Sequence, residues 1–255
     1  MTLRVFATLG RTIAFGLSHF PAFFLLCLLA SLPSAVHAML SPDGFQTSIL
    51  EGDGGWQADL VTATEIVLLG LVTAVMVRTR IRDQEGESRT VLLAISDTVE
   101  YLPTVLGVSF CIAIGTTLFA VMIDVVATIA PILALVPLLI MVVLVLIFAV
   151  AMPCAAVDNE GVVDCFGQSA ALTLGSRLRI IAVYFLFMIP VLIAGGVIIA
   201  FFAPGFQRGE LPVSTLFYVV PFFNVFFYAV PVIMHEQLAG LDEGIELSET
   251  AAVFD

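Results

Sequence analysis

Long runs of apolar residues dominate the hydrophobic pattern of this chain. Each run is about as long as the roughly 20 residues that a helix needs to cross a hydrocarbon core about 30 Å thick. Backbone groups in that core cannot bond to water, and the runs are too continuous for the alternating strands of a barrel. The pattern therefore predicts an all-α, polytopic integral membrane protein with one membrane domain over residues 1–255. Its six expected transmembrane helices cover Pro21–Leu40, Leu60–Val77, Leu102–Ala127, Val136–Met152, Ile180–Phe202 and Leu216–Met234.

Three shorter segments carry apolar residues at helical spacing on one face and polar residues on the other. They are residues 1–19, Ser88–Leu102 and residues 158–175, and Pro103 is expected to end the second. Such segments are typical of helices that lie in the membrane interface. The simpler interpretation is that they connect spans and anchor loops. The alternative is a platform for lipid or for a protein partner.

The composition agrees with a membrane protein and excludes two other classes. The chain is 60% hydrophobic and 12% charged, with a mean hydropathy of +1.13. An ordinary soluble domain has about 45–50% apolar and about 25% charged residues. The net charge is −12, and the nine positive residues are all arginines at a few separate places. Nucleic acid requires a clustered basic face, so it is excluded as a partner.

The arginines predict the orientation. Cytoplasmic loops of membrane proteins carry an excess of positive residues. All arginines except Arg208 fall on one side of the predicted spans: Arg4, Arg11, Arg78, Arg80, Arg82, Arg89, Arg177 and Arg179. We therefore expect both termini, including the tail 235–255, on the cytoplasmic side of the membrane. A signal peptide cleaved after Ala38 is an alternative for the first span, and it would leave the later spans unchanged.

The segment Pro153–Arg177 resembles part of a known group of proteins. Its sequence, PCAAVDNEGVVDCFGQSAALTLGSR, is similar to a segment of bacterial six-span membrane proteins of unknown function. Those proteins are related to the membrane domain that precedes the catalytic domain in some glycerophosphoryl diester phosphodiesterases. The resemblance extends to the first helix and the tail, and it implies a fold but no chemistry. The positions that carry it are Pro153, Glu160, Gly161, Ser169 and Gly175, and Gln168 stands where the group usually has Arg.

Three polar residues inside the apolar runs form the candidate intramembrane site, namely Glu65, Asp124 and Asn224. An ionisable residue within a span is a functional hypothesis by default, with proton relay or cation binding as its usual roles. The alternative is structural. Both acids lie within reach of the outer interface, where they could cap helices, and an amide between Pro221 and Pro231 could bind a neighbouring helix.

Small residues predict close helix packing. Gly107, Cys111 and Gly115 are spaced four residues apart in the third span, and Gly196 lies in the fifth. Such spacing lets two helices approach closely in a membrane. Inside a six-span bundle it favours internal packing over dimerisation.

No recognisable motif for catalysis, metal or cofactor is present. The chain lacks a nucleophile triad, an HExxH motif and a phosphate-binding glycine loop. The acids Asp158, Glu160 and Asp164 have neither a histidine nor the spacing of a calcium loop, so they are expected to cap a helix. The sequence therefore predicts a non-enzymatic structural or accessory protein of a larger membrane complex. Its expected partners are membrane lipids and other membrane proteins. The alternative is a transporter of a small molecule or lipid that uses Glu65, Asp124 and Asn224.

Overall fold

The structure, a computed structural model, describes residues 4–40, 55–86, 91–157, 161–206 and 213–254. Within those ranges the chain forms helices and no strands, which confirms the predicted all-α class. The described helices are α1 Val5–Ser18, α2 Phe20–Ala30, α3 Leu32–Leu40, α4 Gly55–Gln84, α5 Val91–Ile129, α6 Leu135–Ile147, α7 Ala151–Val157, α8 Val162–Thr173, α9 Arg177–Phe206 and α10 Val213–Phe254.

Four of the described stretches are long and apolar enough to cross a membrane, namely Gln57–Gln84, Val91–Ile129, Leu135–Val157 and Val219–Gly240. Two bent pairs raise the number to six if each pair counts as one span. In the first, α1 meets α2 at 87°, and in the second, α8 meets the Arg177–Ile193 part of α9 at 91°. The described part of the chain thus has four to six candidate spans, as a multi-pass membrane protein requires.

The two bends have local causes. Pro21 lies in the first turn of α2, a position that proline tolerates because the N–H group it lacks would have no partner in the helix. Gly175 follows the last turn of α8 and has a φ of +83°, a left-handed conformation that favours glycine. Gly175 therefore ends α8 and allows the chain to turn sharply into α9.

The core lies where α4, α7 and α10 meet. Every residue from Val150 to Ala156, which includes most of α7, is buried. Met76 of α4 and Ile233 of α10 are also fully buried. By contrast, α6 and the second half of α5 expose many large apolar side chains, such as Leu139 at 65% and Leu118 at 65%. A face of this kind suits contact with lipid rather than water.

The helix boundaries differ from the expected ones in three places. Pro103 does not end an interfacial helix, because α5 continues through it from Val91 to Ile129. The first apolar run is broken at Ser31, and the fourth is broken between Ile147 and Ala151. At Pro103, packing against α4 along much of its length holds α5 together although proline removes one backbone hydrogen bond.

Candidate functional site

Glu65 of α4 lies at the break between α2 and α3. The hydroxyl of Ser31, the residue at the break, donates a hydrogen bond to Glu65 Oε1 over 2.9 Å. Ser34, in the first turn of α3, donates to Glu65 Oε2. Both carboxylate oxygens therefore have a hydroxyl partner, which replaces the water that the group would otherwise need. This arrangement joins α4 to the broken helix and makes Glu65 part of a helix contact.

Asp124 lies far from Glu65 along the bundle. Helices α4 and α5 pack in an antiparallel register: the contacts of Arg82, Arg78 and Gly70 on α4 are with Asp97, Tyr101 and Ser109 on α5, in that order. Continued to the end of α5, the same register places Asp124 opposite Gly55, the first residue of α4. Gly55 is ten residues before Glu65, so the two acids are about 15 Å apart along the helix axis. Asp124 is exposed there.

Asn224 is half-buried on α10, between Pro221 and Pro231 as the sequence suggested. The three candidate residues therefore occupy three different settings: a helix contact, an exposed position at one end of the bundle, and a half-buried position on α10.

A cavity of about 600 Å³ lies between α4, α5, α6, α9 and α10, and side chains of α7 and α8 complete its wall. Its lining includes none of Glu65, Asp124 and Asn224. Most of the lining is apolar. Among its polar members, Thr73 and Ser109 donate their hydroxyl hydrogen bonds to carbonyl groups of their own helices. The cavity thus offers little that could bind an ion or a strongly polar solute.

The predicted packing residues have different surroundings. A Cβ atom on Gly107 would lie 2.5 Å from Val162 Cγ2, so Gly107 makes a close contact with the start of α8. Gly115 has open space around it, and together with Cys111 it lines the cavity. The surroundings of Gly196 lie outside the described residues.

Two other glycines make close helix contacts that the sequence analysis missed. A Cβ atom on Gly70 would lie 2.2 Å from Ser109 Oγ, and one on Gly16 would lie 2.8 Å from Phe226 Cδ1. Each of them stands four residues from another small residue: Gly16 follows Thr12, and Gly70 precedes Ala74. The same spacing that pointed to Gly107 could therefore have pointed to these two glycines.

The segment that carries the family resemblance contacts the chain at the break between α6 and α7. Ser169 and Thr173 lie one turn apart on α8, and the Ser169 hydroxyl donates to the carbonyl oxygen of Ile147 over 3.0 Å. The Thr173 hydroxyl lies 3.2 Å from the same oxygen and 2.9 Å from the carbonyl oxygen of Ser169, and it shares its hydrogen between the two acceptors. Ile147 is the last residue of α6, where a carbonyl has no partner within the helix. Phe166 of α8 packs edge-on against Phe148 with ring centroids 4.9 Å apart. This segment therefore fixes the broken helix in place.

The other residues of the resemblance fall at the ends of helices or in the core. Pro153 is buried in α7, where the chain is completely surrounded by other helices. Gly161 is the N-cap residue of α8, and Gly175 follows its C-terminus with the positive φ described above. Glu160 and Asp158 lie outside the described residues.

Several arginines that served only to predict the orientation form ion pairs between helices. Arg80 of α4 donates two hydrogen bonds to the carboxylate of Glu236 on α10, over 2.8 and 3.0 Å. Arg11 of α1 lies 3.8 Å from the same carboxylate. Beside this group, the Thr8 hydroxyl of α1 donates to Gln237 Oε1 over 2.9 Å. These residues, together with the ion pairs between α4 and α5 described next, form what we call the charged layer.

The charged layer continues between α4 and α5. Arg82 contacts Asp97 at 2.6 Å, and the guanidinium of Arg78 stacks 3.6 Å from the centre of the Tyr101 ring. His19, at the bend between α1 and α2, lies 3.6 Å from Asp83. The charged layer therefore brings α1, the end of α4, the start of α5 and the middle of α10 to one end of the bundle.

Neither metal chemistry nor known relatives identify the site. Among the described residues, no group of three or more His, Cys, Asp or Glu side chains could hold a metal ion. Comparisons of the chain with models of protein families, with curated proteins and with solved structures give no match. The resemblance to the membrane domain of glycerophosphoryl diester phosphodiesterases therefore stays a prediction that rests on the residues quoted above.

Proposed function

We propose that the chain is a non-enzymatic membrane protein that acts as a structural or accessory component of a larger complex in the bacterial inner membrane. The main support for this proposal is that polar groups within the bundle bond to neighbouring helices. Glu65, Ser169 and Thr173 hold the broken helices in place. A carboxylate that served transport would instead face a hydrated path.

The alternative function, transport through Glu65, Asp124 and Asn224, has weaker support. Such a mechanism requires polar residues around a common polar cavity. The cavity in the bundle is apolar and is lined by none of the three. About 15 Å of helix also separates the levels of the two acids.

Affinity purification tests the accessory role. The tagged chain would be extracted in a mild detergent, and the proteins that co-purify would be identified by mass spectrometry. An unrelated tagged membrane protein of similar size and expression level is the control. We expect a fixed set of membrane proteins in constant ratio to the tagged chain. Recovery of the chain alone, as a monomer, would contradict the accessory role.

We further propose six spans, formed by α2–α3, α4, α5, α6–α7, α9 and α10, with α1, the start of α5 and α8 in the cytoplasmic interface. The bends of 87° and 91° support this arrangement, because an interfacial helix lies across the span that it joins. Exposed apolar side chains such as Leu92, at 75%, and Val163, at 81%, suit insertion into the interface. The charged layer supports a common side for the N terminus and the start of the tail.

A reporter enzyme that is active only in the periplasm tests the topology. Fused after Arg89, in the predicted cytoplasmic loop, it should be inactive. Fused after Asp53, in the predicted outer loop, it should be active at a similar level of expression. The opposite pair of results would overturn the orientation.

A further inference from the structure

The apolar cavity has the size and the wall of a ligand site. Its volume of about 600 Å³ falls within the range of about 300–1,000 Å³ that small-molecule sites have. Met141, Leu144 and Val145 of α6 form one side of its wall, and Ile112 and Phe119 of α5 form another. The cavity is partly open. A hydrocarbon group that entered it would give the lining atoms the van der Waals contacts that they lack on that side.

Two phenols in this wall lack a hydrogen-bond partner. Tyr184 of α9 and Tyr228 of α10 both line the cavity, and the ring of Phe227 lies between them at 5.7 and 5.5 Å. Within the described part of the chain, neither hydroxyl has a hydrogen bond. Tyrosine hydroxyls in apolar surroundings usually find a partner. The two phenols can therefore donate to an acceptor on a molecule in the cavity.

The composition of the cavity wall favours a neutral acceptor. The cavity lining contains no arginine or histidine that could offset a negative charge. A carbonyl oxygen of an ester meets these conditions, whereas the carboxylate of a free fatty acid does not.

Both phenols lie on the membrane side of the charged layer. Tyr184 lies seven residues, or about 10 Å, after Arg177 at the start of α9. Tyr228 lies eight residues, or about 12 Å, before Glu236 of the charged layer. A lipid whose head group lies at the charged layer would place its ester groups on the membrane side of that layer, towards the phenols.

We propose that the cavity binds one esterified acyl chain of a membrane lipid, with the hydrocarbon between α5 and α6 and the ester carbonyl accepting a hydrogen bond from Tyr184 or Tyr228. This site does not depend on the accessory role. Phospholipids and diacylglycerol both carry such a chain, and the experiment separates them.

Photo-crosslinking of the full chain in lipid nanodiscs tests the site. One sample contains phosphatidylglycerol with a diazirine near the end of an ester-linked chain, and a second contains diacylglycerol with the same group. A third contains the ether-linked form of the phosphatidylglycerol, which has no carbonyl. After irradiation, mass spectrometry locates the label. We expect label from an ester lipid on the cavity residues of α5 and α6, and the more strongly labelling sample identifies the source. The ether lipid should label those residues roughly tenfold less, as loss of a hydrogen bond would cause.

Variants of the cavity make the test specific. Gly115→Leu should place a side chain in the part of the cavity lined by α5 and reduce the label there, since a Cβ atom at Gly115 meets nothing within 4 Å and the fold should tolerate it. Gly10→Leu is the matched control, because Gly10 also has open space but lies on α1, away from the cavity, and its label should not change. The double variant Tyr184→Phe with Tyr228→Phe keeps both rings and should lower ester labelling to the level of the ether lipid.

Two results would overturn the proposal. If Gly115→Leu, folded as judged by circular dichroism, keeps the wild-type label on α5 and α6, the chain does not enter the cavity. If ester and ether lipids label equally and the phenylalanine variant changes neither, the phenols do not bind a carbonyl group. The second comparison remains decisive even if Gly115→Leu fails to fold.

Discussion

Replacement of Gly70 by alanine tests the close contact between α4 and α5. The added Cβ atom would lie 2.2 Å from Ser109 Oγ, 3.0 Å from Met152 Cε and 3.1 Å from Ser109 Cβ. Ordinary van der Waals contacts lie at 3.4–4 Å. The Ser109 hydroxyl must therefore turn away, and it would lose its 2.7 Å hydrogen bond to the carbonyl of Val105. Its Cβ atom would still be too close, so the two helices must separate by a few tenths of an ångström.

The expected loss of stability follows from these two effects. Overpacking costs about 1–3 kcal/mol, and loss of the hydrogen bond costs about 0.5–1.5 kcal/mol. Alanine also gains about 1 kcal/mol of helix propensity over glycine. Gly115→Ala has the same gain but no contact within 4 Å. The comparison of the two variants removes the propensity effect and leaves about 1.5–4.5 kcal/mol, or roughly 3–18 °C in the melting temperature.

Thiol labelling during heating gives the measurement. Cys27, Cys154 and Cys165 are buried thiols, and a fluorescent maleimide would reach them only as the bundle unfolds. Cys111 is exposed and would be replaced by serine in every variant. Gly70→Ala should melt below Gly115→Ala, and addition of Ser109→Ala should recover part of the difference. Equal melting temperatures for the two alanine variants would refute the reasoning.

The remaining predictions concern polar contacts between helices. In a double-mutant cycle, Arg80→Met and Glu236→Gln should show a coupling of about 1 kcal/mol in the free energy of unfolding. The value is modest because the pair is bidentate but partly exposed. A coupling near zero would contradict the role of this pair in joining α4 and α10. Ser169→Ala or Thr173→Val alone should cost about 0.5 kcal/mol, since the other hydroxyl still serves the carbonyl of Ile147. Both changes together should cost about 2 kcal/mol, because the carbonyl is then unpaired. Strictly additive losses would contradict the shared acceptor.

Hydropathy predicted the helical class because a bilayer imposes it on any chain with such long apolar runs. It could not predict where those runs break. The break at Ser31 depends on Glu65 of α4, and the break after Ile147 depends on Ser169 and Thr173 of α8. In each case the partner is more than 20 residues away in the sequence, so no local pattern contains it. The opposite error at Pro103 has the same origin, because a neighbouring helix supports the segment that proline weakens.

The candidate site shows a similar limit. A search for ionisable residues in apolar runs finds Glu65 and Asp124, but the register of α4 and α5 is needed to see that they lie on different levels. The cavity was missed because its lining is apolar, and Tyr184 and Tyr228 look like ordinary aromatic residues of a span. The signal that distinguishes them is a hydroxyl without a partner, which only the three-dimensional arrangement reveals.

The arginines illustrate how one feature can serve two purposes. The positive-inside rule counts positive residues near the spans, and acids contribute little to it. Arg11 and Arg80 would therefore direct insertion while the chain is still unpaired. In the folded bundle both contact Glu236, which lies more than 150 residues later than either of them. If insertion is sequential, Glu236 reaches the bundle after α1 and α4 are in place, and its carboxylate then joins them. On the orientation proposed above, the same guanidinium groups would direct insertion early and form helix contacts late, and Glu236→Gln should weaken the second role without reversing the topology.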